Sequence, residues 1–82
     1  MLDVVEVRYL HNYVVWLRFD DGTQGEVDLR GELWGEMFEP LIDVDVFRCV
    51  SVNPDTGTIE WANGADLAPE YLFERLRIVP TE

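Results

Sequence analysis

The chain has 82 residues, 48% of them hydrophobic and 12% aromatic, which is enough for one folded core and too few for two. Seventeen carboxylates face six cations, all of them Arg, and the net charge of −11 sets most of the surface against a phosphate backbone, so direct nucleic-acid binding is not expected. One Cys and one His exclude an internal disulfide and a structural zinc cluster, and no apolar run nears the roughly 20 residues of a membrane span. The expectation is a single cytoplasmic domain over 1–82 with no metal and no cofactor. Its acidity either attracts a basic partner or keeps the protein soluble.

From Val4 to Leu29 the hydrophobic period is two, and every core position reads as odd: Val5, Val7 and Tyr9, then Tyr13, Val15, Leu17 and Phe19, then Val27 and Leu29. A two-residue Asp21-Gly22 loop would set Leu17 opposite Glu26 and bring a carboxylate to the core. A three-residue Asp20-Asp21-Gly22 loop instead sets Val15 opposite Val27 and Tyr13 opposite Leu29. This is a type I turn with a bulge and a left-handed Gly22. The same parity predicts a Leu10-His11-Asn12 loop, with Tyr9 opposite Tyr13, Val7 opposite Val15, and Asn12 left-handed. The result is an antiparallel three-stranded meander whose last edge is exposed, which makes a homodimer through that edge an open alternative.

Leu33, Met37 and Leu41, with Trp34 and Phe38, then recur at helical spacing until Pro40 interrupts them, predicting a short broken helix or tight loop. Asp43 is placed to cap a turn running through Phe47. Val50 and Val52 match Ile59 and Trp61 across a four-residue Pro54–Gly57 loop, a second β-hairpin. In Trp61-Ala62-Asn63-Gly64-Ala65-Asp66-Leu67-Ala68-Pro69, Asn63 and Gly64 tolerate positive φ, Asp66 is placed to cap a helix, and Pro69 suits its first turn. A helix from Pro69 to Arg77 carries Leu72, Phe73 and Leu76 over the sheet, Arg75 and Arg77 suit its dipole, and Pro80 stops it. The fold class is α+β.

The chain resembles the small bacterial domain of unknown function 2442 family over nearly its whole length. The residues that carry the resemblance are Phe19-x-Asp21-Gly22, then Phe38-Glu39-Pro40-Leu41-x-Asp43 with Phe47. They continue in Gly57-Thr58-Ile59-x-Trp61-x-Asn63-Gly64-Ala65-Asp66-Leu67-x-Pro69 with Tyr71-Leu72. The resemblance implies an α+β domain with no agreed activity and no catalytic residue to carry over. Such domains are sometimes fused to a helix-turn-helix module, and they often stand as one half of a toxin–antitoxin-like gene pair. With no room for a DNA-binding module after Thr81-Glu82, an autoregulator role is the least supported expectation, and it would need an Arg-rich stripe.

The remaining candidates divide by residue type. His11 falls in a hairpin loop with no Ser, Cys or second His nearby and reads as a surface histidine, and Cys49 beside Arg48 reads as a packed, inert thiol. Asp66 with Glu60, Asp55 and Glu70 forms the one imaginable acidic site for a small enzyme or ligand-binding domain built on the Asn63–Asp66 turn, against the commoner role of capping. Asp43 and Asp45 read the same way.

Trp16 belongs to the polar parity set, with Glu6 and Glu26 as its expected cross-strand neighbours. Arg8 and Arg18 share that face and are expected to pair with Asp28 and neighbouring carboxylates. Either the broken helix covers Trp16, or Trp16, Glu6 and Glu26, with Trp34, form a partner-binding surface for a basic protein. The leading expectation is a non-enzymatic protein-interaction module, the acidic, antitoxin-like partner of a gene pair.

Overall fold

The computed structural model describes residues 2–77, and Pro80 therefore lies outside the described residues. Strands β1 (Val4–His11), β2 (Val14–Phe19) and β3 (Gln24–Asp28) form an antiparallel sheet in chain order, and β4 (Ser51–Asn53) pairs with β5 (Thr58–Glu60) in a second hairpin. Between them run two 3-10 turns, Arg30–Glu32 and Glu39–Ile42, and a one-turn helix α1 (Val44–Phe47); helix α2 (Pro69–Glu74) follows β5. The architecture is the α+β meander, broken helical segment, hairpin and C-terminal helix that the hydrophobic pattern predicts.

The β2–β3 register is the predicted one, with Val15 opposite Val27, and Tyr13 C=O accepts from Leu29 N–H at 2.9 Å. Phe19 N–H donates to Thr23 C=O across Asp20-Asp21-Gly22, and Gly22 takes φ +91°. The β1–β2 register differs from expectation by two residues: Val7 faces Leu17 and Tyr9 faces Val15. The chain turns over Asn12-Tyr13, both at positive φ (46° and 69°), rather than over Leu10-His11-Asn12. A two-residue turn with both φ values positive matches strand twist, and the even slip keeps Val7 and Tyr9 on the same face as Val15 and Leu17.

Tyr13 is held in this costly backbone conformation by three contacts. Its hydroxyl donates to Ile42 C=O, its ring meets Phe47 edge-on at 5.2 Å, and the Arg30 guanidinium lies 5.5 Å over it.

Val5 is a second correction. The register shifts between Val4 and Glu6, so Val5 is an extra residue in a bulge and is exposed, while Val4 takes the core position. Leu10 occupies the matching bulge before His11.

The core lies on the odd face, where Val15, Leu17, Phe19, Val27 and Leu29 meet Leu33, Leu41, Phe47, Ile59, Trp61 and Leu72. Phe47 is its aromatic hub, 6.0 Å from Tyr9 and 5.6 Å from Trp61, and Trp61 Nε1 donates to Phe47 C=O at 2.8 Å. Thr58, the one buried polar residue among those described, donates its hydroxyl to Leu67 C=O. Asp43 caps α1 as expected, accepting from Asp45 N–H at 3.0 Å.

The C-terminal helix is shorter than predicted and ends at Glu74, with Pro69 in its first turn as expected. Arg77 leaves the helix and pairs with the outer edge of β3: Glu26 N–H donates to Arg77 C=O at 2.8 Å and Arg77 N–H to Glu26 C=O at 2.7 Å. The edge expected to stand open for a second copy is therefore occupied at its middle by the chain itself. Gly25 permits this, because a Cβ there would strike the Arg77 carbonyl.

Candidate functional site

The Asn63–Gly64 turn repeats the hydrogen bonding of the Asp20–Gly22 turn. Trp61 N–H donates to Ala65 C=O, Gly64 N–H to Trp61 C=O, and Asn63 Oδ1 accepts from Ala65 N–H as Asp21 Oδ1 does from Thr23 N–H. Gly64 has φ +92°, whereas Asn63 does not take positive φ. An Asx side chain before a left-handed glycine satisfies the turn internally in both places. Thr23 N–H accordingly holds the Asp21 carboxyl below its ordinary range.

The other end of the Asn63 amide leaves the turn. Nδ2 donates to Met37 C=O at 2.8 Å, fixing the turn against the segment after Leu33. That segment does not form the α-helix its spacing hints at, because Gly35 takes φ +87° and the chain bends there. Leu33 is buried and Phe38 packs edge-on to Trp61 at 6.4 Å, so the two anchor the bend from either side. Trp34 and Met37, between the anchors, are left outside at 74% and 46% exposure.

A groove of about 330 Å³ lies here, walled by Trp34, Met37, Phe38 and Leu67, floored at Gly35 and rimmed by Glu32 and Glu36. A second depression lined by Glu36, Glu39 and Pro40 shares Glu36 with it. Glu32 is tied to α2, 3.8 Å from Arg75 Nε, and the Arg75 guanidinium lies 3.5 Å over the Tyr71 ring. Burial, and after it the neighbouring Glu32 carboxylate, holds the Tyr71 phenol above its ordinary value.

The structure separates the two tryptophans singled out by sequence. Trp16 is half-buried on the outer sheet face, opposite Arg8 and Glu26 rather than Glu6 and Glu26, with the Arg8 guanidinium 5.4 Å over its ring. The 33–41 segment does not cover it, since Leu33 and Leu41 join the core on the opposite face. Glu6 faces Arg18 and binds both Arg18 and Arg8 at 3.0 Å, taking the role expected of Asp28. Those two guanidinium contacts, Arg18 first, hold the Glu6 carboxyl below its ordinary value. Asp28 accepts from Arg30 N–H instead.

Asp66 does not cap α2, whose N-cap is Ala68 with no side-chain hydrogen bond; its backbone bridges that of Glu60 and it is exposed. Glu60 accepts from Asn53 Nδ2 at 2.9 Å. His11 is exposed at the end of β1, and Cys49 is exposed rather than packed, its thiol directed to Asp45 C=O at 3.4 Å.

Sequence reasoning named Trp34 but missed Met37, Glu36 and Leu67 as its neighbours. The available signal was Gly35, a break in the helical spacing that turns adjacent residues outward. Among the described residues, no helix is long and apolar enough to cross a membrane.

No curated protein and no solved structure matches the chain significantly. The family model described as protein of unknown function DUF2442 matches residues 4–77, spanning β1 to the Arg77 bridge, and the chain belongs to that family.

Proposed function

We propose that the chain is a non-catalytic protein-interaction module of the cytoplasm that covers a basic surface on a protein partner, acting as the acidic, antitoxin-like member of a gene pair. The observation that carries this reading is how its charges are distributed. Five of the six arginines are engaged within the chain: Arg8 and Arg18 on Glu6, Arg30 over Tyr13, Arg48 over Tyr9, and Arg75 on Glu32 and Tyr71. Among the described residues, Glu6 and Glu32 are the only carboxylates in ion pairs. These cations stay exposed but are partnered within the chain, while most carboxylates have no ion-pair partner among the described residues, a surface that draws a basic partner by long-range attraction and disfavours another acidic one.

Capture of partners on a tagged copy, at low and at high salt, tests the reading. A stoichiometric basic protein released by salt supports it, and the absence of any stoichiometric partner contradicts it.

A further inference from the structure

We propose that the Trp34 groove receives an extended basic segment of the partner protein, with an arginine or lysine side chain against the Trp34 ring and the flanking cations on Glu36 and Glu39. This rests on the interaction-module reading and specifies its contact.

The chain shows how it treats its own aromatic rings: Trp16, Tyr13, Tyr9 and Tyr71 each carry a guanidinium from the same molecule, between 3.5 and 5.7 Å from the ring centroid. Trp34 carries none among the described residues, and it is the most exposed large apolar side chain of those described. A ring face with carboxylates beside it is an attractive seat for a cation that keeps an apolar stem. Met37 and Leu67 supply the apolar wall for that stem, and Glu36 and Glu39, which have no ion-pair partner among the described residues, supply the charge.

At about 330 Å³ the groove sits at the small end of ligand pockets, which run roughly 300–1,000 Å³, and it has room for side chains of a segment rather than for a folded face. A nucleic acid is repelled by the rim. A second copy of the chain offers few cations, since five of its six arginines are already engaged.

The test uses a dye-labelled, unstructured peptide alternating arginine with leucine, and its counterpart with glutamate in place of arginine. Anisotropy titrations are run on the wild type, Trp34→Ala, Trp16→Ala and the Glu36→Gln, Glu39→Gln double variant. Saturable one-to-one binding of the basic peptide is expected, weakened about tenfold by Trp34→Ala. A loss of about threefold to tenfold is expected for the double variant, with a shallower salt dependence. Trp16→Ala should leave affinity unchanged. Trp34 is exposed, so its alanine variant keeps the wild-type circular dichroism.

Equal binding by Trp34→Ala, equal binding of the acidic peptide, or loss in Trp16→Ala instead would overturn the proposal. The natural partner separates the two levels: capture undiminished by Trp34→Ala removes the groove and leaves the module reading, whereas capture of nothing by the wild type removes the module reading.

Discussion

Asn63 holds Met37 by its side chain: the amide nitrogen donates to the Met37 carbonyl while the amide oxygen accepts from Ala65 N–H, so one residue closes a turn and fixes a groove wall. Asn63→Ala removes both bonds. An expected loss of about 1–2 kcal/mol, at roughly 1 kcal/mol per hydrogen bond, should appear as a lower urea midpoint with an unchanged slope. Asn63→Asp keeps the acceptor and loses the donor, so it should fall between the two. If both variants match the wild type, the tie does not hold the wall.

Trp61→Phe tests the buried link between the second hairpin and α1. The substitution leaves the Phe47 carbonyl without the indole donor now at 2.8 Å, in a site where Trp61 is buried. That carbonyl keeps Val50 N–H at 3.3 Å, so the lost hydrogen bond costs about 1 kcal/mol, in addition to the packing lost with the smaller ring. Thermal unfolding reads the combined effect, and a midpoint unmoved from the wild type would deny the bond its structural role.

Gly25→Ala should separate Arg77 from β3, because the added methyl meets backbone that cannot swing aside. Overpacking of this kind costs about 1–3 kcal/mol. Hydrogen exchange provides the local readout: the Glu26 and Arg77 amides, each bonded to the other residue's carbonyl, should lose protection while the Val15–Val27 pairing keeps its own. Retained protection at both amides would show that the chain passes β3 in another way.

The Glu6 prediction concerns pH. Contacts with Arg18 and Arg8 place its folded pKa below the ordinary value of 4.5, so its contribution is present above that value and is lost as pH falls through the folded pKa. Wild type should therefore exceed Glu6→Gln in stability at neutral pH, with the gap closing in acid and narrowing in high salt. A gap independent of pH would assign the effect to packing instead.

Much of the fold was legible because hydrophobic parity is a strong constraint. It placed the three strands, the Asp20–Gly22 turn and the second hairpin, and the Val15–Val27 register followed from keeping Glu26 out of the core. Parity is blind to slips of two residues, which is why Val7 was set opposite Val15 rather than Leu17. It is equally blind to bulges, which moved the core position from Val5 to Val4.

The helix limit failed because Leu76 and Arg77 fit a helical period as well as the extended bridge to Glu26, and only the missing Cβ of Gly25 distinguishes the two. At the site, Trp34 stood out as a bulky residue in an interrupted helical pattern. Its partners Met37 and Leu67 come from segments joined by the Asn63 amide, a contact between residues far apart in sequence that no local pattern encodes.

The central claim, an acidic face that meets a basic partner, is tested most directly by native mass spectrometry of complexes captured on tagged wild type and on a Glu36→Lys, Glu39→Lys charge reversal. The account predicts one stoichiometric basic partner on the wild type at low salt, released by high salt and absent from the reversed variant. A partner held equally by both proteins and at both salts would contradict it.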